Sequence, residues 1–308
     1  MGSNWLCRGW LLLSLGLVAC GGGVTPIQTA YNKGVYLASS GEYAAAIAEY
    51  RDAVREDPSD LRSRFNLAAT LEMEAERQHR LSRNSETDVE ALLSVRHRDE
   101  ARTIYQEILA QDPLHERATQ NLAAMEWESG ASAESEARLR ALLAARPDFI
   151  GPRLTLAARA QADGRLEVAE EQIKAALAID STHPDAQAMY GDLCVARGDL
   201  ETARNAYLQA LVRRPEDLHA LVALGRIDHE SNRPESADAW LRRALFVFPR
   251  HASALALMAD ISEKEDRLEE AVKHLWELRS LALASEYDGD PVALDQRLRR
   301  LYRKLQDR

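Results

Sequence analysis

The chain has 308 residues but only three cysteines, Cys7, Cys20 and Cys194, and no Cys-x-x-Cys pair. That excludes a disulfide framework and a thiolate zinc or dithiol site. Aromatic residues make up only 6%, and β-branched residues are also few, so a large β-sheet core is poorly supplied. Cations fall short of anions, 39 against 49, for a net charge of −10. A general nucleic-acid binder needs the opposite excess to neutralise phosphates, so no nucleic-acid partner is expected. The sequence also lacks His-Glu-x-x-His, Gly-x-Ser-x-Gly and Gly-rich phosphate-loop patterns. Those absences remove the commonest routes to metal-assisted, nucleophilic and phosphoryl chemistry. Asp228-His229-Glu230 is the nearest approach to an acid–base cluster, and sequence neighbours on a helix point to different faces. No catalytic residue, metal, cofactor or small-molecule substrate is expected, and the reading is of a non-enzyme. What is present is alanine, leucine, glutamate and arginine in abundance, a composition that favours helix.

The longest apolar run is Gly9–Ala19, eleven residues behind the single charge of Arg8. A membrane span needs about 20, so the run fits a secretory signal peptide better. Its end, Leu17-Val18-Ala19-Cys20 followed by Gly21-Gly22-Gly23, resembles the lipobox of bacterial lipoproteins. That resemblance implies cleavage after residue 19, acylation (including palmitate) of Cys20, and a Gly-rich tether over 20–26. It further implies an exported chain held by lipid, with the periplasmic face of the outer membrane expected because Gly21 stands where an Asp would favour inner-membrane retention. The inner membrane and the cell surface stay open. Cys194 is expected to be a small buried hydrophobe.

The remainder repeats. Small residues at Gly34, Ala68, Ala123, Ala157, Gly191, Gly225 and Ala259 are 34 apart, with one exception. A second small series, Ala46, Ala101, Ser135, Ala169, Ala203, Ala237 and Ala271, keeps the same phase, and bulky residues stand four positions after each of its members. Gly41, Gly130, Gly164, Gly198, Asn232 and Asp266 form a turn series, and Pro58, Pro113, Pro147, Pro215 and Pro249 close repeats. A 34-residue helix–turn–helix period resembles the tetratricopeptide repeat. The resemblance implies an all-α fold: an α-solenoid, a right-handed superhelix of about seven units over 27–285, with a C-terminal capping helix over 286–308.

The exceptional interval is 55 residues, which places an insertion of 21 in the second unit at about 76–100. The first helix should run on by about two turns, turn at Ser82–Thr87, and re-enter an early-starting second helix capped by Thr87 or Asp88. This is either a tolerated surface insertion or a protruding hairpin whose Arg77, Arg80, Arg83, Arg96 and Arg98 touch a partner or acidic headgroups. The last helix, starting at Asp290-Pro291, has an apolar stripe of Leu294, Leu298, Leu301, Tyr302 and Leu305 among basic residues. Capping explains its position, since a solenoid needs a polar-faced end; a basic amphipathic helix can also lie on anionic lipid.

Proteins that the repeat resembles hold a peptide or a partner's helix in a concave groove lined by the first helix of each unit. Residue by residue, the resemblance implies groove positions at Tyr31, Arg62, Phe65, Asn66, Arg117, Gln120, Asn121 and Trp127 in the N-terminal half. Further along it implies Asp192, His219, Arg226, His229, Asp260 and Glu263. Val35 and Tyr31 stand where a chaperone-type carboxylate clamp needs Asn and Lys, so a free C-terminal carboxylate is not implied. The expected function is a membrane-anchored scaffold or adaptor for envelope proteins, the partner unnamed. A pilotin-like assembly factor for a pilus or secretion secretin, an adaptor recruiting cell-wall hydrolases, and an accessory subunit of a polysaccharide or cell-wall enzyme complex remain alternatives.

Overall fold

The computed structural model describes residues 26–82, 89–284, 287 and 289–307. Every described element is helical, and the chain divides into an N-terminal unit ending at Leu156 and a C-terminal unit starting at Ala157. In the first unit, α1 (Pro26–Ser39) pairs with α2 (Tyr43–Glu56), α3 (Leu61–Ser82) with α4 (Val89–Gln111), and α5 (Glu116–Glu128) with α6 (Ser132–Ala145). The boundary falls inside α7 (Ile150–Ala162). The second unit continues with α8 (Leu166–Ile179), then pairs α9 (Pro184–Ala196) with α10 (Leu200–Arg213), and α11 (Leu218–Glu230) with α12 (Pro234–Val247). Next, α13 (Ala252–Lys264) pairs with α14 (Leu268–Leu283), and α15 (Pro291–Gln306) packs on α14. Among the described residues no helix is long and apolar enough to cross a membrane. Residues 1–19, where a signal peptide is expected, and Cys20 lie outside the described residues.

The two small-residue series explain how the pairs close. Ala46, Ala101, Ser135, Ala169, Ala203, Ala237 and Ala271 are all fully buried, and the one polar member, Ser135, donates its hydroxyl to the Ala123 carbonyl at 2.8 Å. The bulky residues four positions later, from Tyr50 to Leu275, are also buried. Their partners are more local than the spacing alone predicts, because they face the small position of their own repeat. A Cβ on Gly34 would sit 2.7 Å from the Tyr50 ring, and one on Gly191 would meet the Tyr207 ring at the same distance. Each such buried side chain contributes about 1.5–3 kcal/mol, so the missing Cβ stabilises the pair by admitting its large neighbour.

Turns between paired helices use the left-handed backbone region. Gly41, Gly130, Gly164 and Gly198 have φ between +73° and +89°, and the two non-glycine members, Asn232 and Asp266, have φ of +55° and +61°. Short polar side chains tolerate that region best after glycine. In the C-terminal unit, Leu298 and Leu301 of α15 are buried with Leu268, Ala271 and Leu275, while Leu294 and Leu305 pack on them. Tyr302 departs from the expected stripe: it is 42% exposed at the side of the helix. Cys194 is buried, and burial pushes its thiol pKa up.

The inserted residues lengthen both helices of the second repeat. Their seam is polar: Gln78 Nε2 donates to Glu74 at 2.9 Å, His97 Nδ1 lies 3.1 Å from Gln78 Oε1, and Ser94 Oγ donates to the Ala75 carbonyl at 2.8 Å. Three of the hairpin's arginines are engaged, Arg77 with Glu74 and Arg80 with Glu76 within α3, and Arg98 with Glu128 at the end of α5. Arg83, Thr87 and Asp88 lie outside the described residues.

Candidate binding surfaces

In the N-terminal unit the first helices α1, α3 and α5 carry the expected groove positions. The Arg62 guanidinium sits 5.6 Å from the centre of the Tyr31 ring and makes a 3.2 Å ion pair with Asp60. Asn66 Nδ2 donates to Tyr31 Oη at 3.1 Å. One aromatic face, one amide and one cation therefore meet where α1 and α3 join. Arg117 opens the next helix and is exposed. Gln120 packs over Gly151, where any side chain would collide with it.

Phe65 is not available at this surface. It is buried, stacked on His115 at 5.4 Å and tilted against Tyr105 at 5.8 Å, so its part is to pack successive repeats together. Trp127 is half-buried against Ala123, Leu139 and Leu156, and its indole N–H has no acceptor among the described residues. Asn121 donates to Tyr105 Oη at 2.7 Å and to Glu72 Oε2 at 3.3 Å. Glu72, Tyr105 and Asn121 thus form one cluster across three helices, and burial pushes the Glu72 carboxyl up to about 7. The spacing marks Tyr105 only as the bulky residue four positions after Ala101, and it does not mark Glu72. The available signal was that Glu72 stands four residues after Ala68, on the helical face of the small series.

In the C-terminal unit Tyr207 Oη donates to Asp192 Oδ1 at 2.6 Å, and His219 Nε2 lies 2.8 Å from the same oxygen. Burial pulls the imidazole pKa of His219 down, but the Asp192 hydrogen bond and charge outweigh it and leave it raised. His229 lies 3.3 Å from Lys264 Nζ, whereas its neighbour Asp228 is turned inward to Arg204, Ser236 and Trp240. The Asp-His-Glu string is therefore split between two faces. Arg226 is exposed one turn from His229. Asp260 and Glu263 are taken by the last helix: Arg297 reaches them at 2.6 and 2.7 Å, and Arg300 reaches Glu263 at 3.1 Å. Of the groove acids expected here, Asp192 is thus held by a tyrosine and a histidine, and the other two by arginines.

Paired helices at a fixed period, with small residues at each crossing and polar side chains on the first-helix face, define an all-α repeat protein of the solenoid type. Tetratricopeptide-repeat profiles match residues 30–75 and 89–148, and again 160–224 and 196–261. Together they cover more than half of the chain, and the gap at 76–88 falls in the insertion. The chain belongs to the tetratricopeptide-repeat family, whose members are protein–protein interaction scaffolds. Among solved structures, it is similar to PilF of Pseudomonas aeruginosa at 22% identity, over 60% of this chain and 91% of that one, with a TM-score of 0.50. PilW, described as a widely conserved type IV pilus biogenesis factor, is 20% identical over 62% of this chain and 87% of its own, with a TM-score of 0.52. Yeast Tom70 is 12% identical, spans 94% of this chain and 66% of its own, and gives a TM-score of 0.63. At such identities the likeness is one of fold. A search of curated proteins by sequence finds no match.

Proposed function

We propose that this chain is a lipid-anchored interaction scaffold of a bacterial envelope, and that it holds an extended segment or helix of a protein partner on the α1–α3–α5 face. The observation that carries the binding site is the Tyr31–Arg62–Asn66 junction. Its ring, guanidinium and amide suit a peptide's backbone and acidic side chains. Arg117 extends the cationic character one repeat further. In the C-terminal unit, Arg226 and His229, with Asp192 held by Tyr207 and His219, form a separate, more charged surface. Anchoring rests on the Leu17–Cys20 lipobox. Two or three acyl chains, at about 0.8 kcal/mol per buried methylene, suffice for lasting membrane attachment.

Photo-crosslinkers placed at Tyr31 and Trp127 in cells should capture one protein that crosslinkers at the exposed Phe246 do not. Capture at Phe246 alone would move the site elsewhere. Fatty-acid labelling should disappear in Cys20→Ala, and membrane fractionation of that variant unchanged from the parent would remove the anchor. A narrower version, a type IV pilus biogenesis role, draws on the resemblance in fold to PilW; the identity of the captured partner decides it.

A further inference from the structure

The outer face of the last helix pair combines features that neither capping nor the partner groove uses. Trp276 of α14 is 46% exposed and Tyr302 of α15 is 42% exposed. The indole Nε1 donates to the tyrosine Oη at 2.8 Å, so the two rings are locked together at the surface. Arg279 lies over the Trp276 ring at 5.2 Å and is paired with Asp295, which backs the aromatic pair and neutralises the nearby acid. Around this pair stand Arg299 and Arg303, at i and i+4 on the Tyr302 side of α15, and Lys273, one turn before Trp276 on α14. All three are exposed and make no ion pair among the described residues. In a chain with a net charge of −10, this face sets Lys273, Arg299 and Arg303 beside an Arg279–Asp295 pair that cancels one acid, with Glu277 next to Trp276 and Asp307 one turn after Arg303 as the other acids on the two helices nearby.

Rings with an apolar body and a polar tip, flanked by long cationic side chains, match the chemistry of a bilayer's interfacial layer. Lysine and arginine can lay their stems along the headgroup boundary and keep their charges at the phosphates. An acidic protein partner would satisfy the cations but would give no reason for two large exposed aromatics held side by side. We propose that the Trp276–Tyr302 face, with Lys273, Arg299 and Arg303, docks on an anionic phospholipid surface. This contact is independent of the Cys20 anchor and can fail separately from it.

The test uses the full chain carrying Cys20→Ala, with vesicles of phosphatidylcholine alone or with about 30% phosphatidylglycerol, at low and high salt. The apolar segment before residue 20 is common to all variants, so the readout is the increment that phosphatidylglycerol adds. We expect that increment to be present at low salt and largely lost at high salt. Arg299→Glu with Arg303→Glu should weaken it by at least roughly 25-fold, about fivefold per cation, while Arg299→Lys with Arg303→Lys keeps it. Trp276→Ala should weaken binding and leave the salt dependence unchanged. Equal binding to both vesicle types, or full binding by the charge-reversed variant with its helical signal intact, overturns the proposal. So does a polyglutamate peptide that binds these arginines when phosphatidylglycerol vesicles do not.

Discussion

Tyr105 donates its phenolic proton to Glu72 across 2.7 Å, joining the second helix of one repeat to the helix before it, and Asn121 of the next repeat closes on both. Burial raises the Glu72 pKa to about 7; the Tyr105 hydrogen bond opposes it, the Glu128 charge adds to it, and Arg98 and Asn121 oppose it. A carboxyl whose folded pKa lies above its unfolded value stabilises the fold most below the unfolded value, and that stability is lost as pH rises toward 7. Glu72→Gln, which keeps an acceptor for Tyr105 and carries no charge, should therefore stabilise the protein by about 1–3 kcal/mol at pH 8 and have no effect at pH 4. Denaturant unfolding at the two pH values checks this. A variant less stable at both would show that the charge is needed.

Three histidines work in the opposite direction. His115, His183 and His251 accept backbone N–H groups through Nδ1 at the starts of α5, α9 and α13. Burial lowers all three pKa values. Their stabilisation is present above the ordinary histidine value and is lost as pH falls through the lower folded values. A cap contributes about 1 kcal/mol, worth about 2–4 °C in a unit of this size. His115→Asn should flatten the loss of thermal stability between pH 7 and pH 5, because Asn caps at either pH. An unaltered slope would show that the imidazole is not the titrating group.

The contact between Gly191 and Tyr207 is close enough for a single methyl group to be felt. A Cβ there would lie 2.7 Å from the ring, which is buried and hydrogen-bonded to Asp192. Gly191→Ala is expected to destabilise the C-terminal unit by about 1–3 kcal/mol. Pairing it with Tyr207→Leu should recover part of the loss in a double-mutant cycle, and additive effects would place the strain elsewhere.

The repeat frame was legible because each of its signals is local or strictly periodic. Small residues at helix crossings recur every 34 positions, and the turn series marked even Asn232 and Asp266, whose left-handed backbone the structure bears out. The insertion was legible as a broken period. The surface was less so. Phe65 stands at a groove position by count, yet His115 and Tyr105, 50 and 40 residues away along the chain, cover it. Asp260 and Glu263 read as groove acids until α15 brings Arg297 and Arg300 onto them. Which side chain covers which depends on the following helix, and spacing within one repeat carries no information about that.

The α1–α3–α5 face is the proposed partner-binding surface. It is tested most directly by capture of the partner from cells with Arg62→Glu combined with Arg117→Glu, two exposed positions whose exchange leaves the helical fold intact. Captured partner should fall by about tenfold or more, with unchanged thermal stability and unchanged capture by a Phe246→Glu control. Full capture by the arginine variant, with loss in the Phe246 variant, would contradict it.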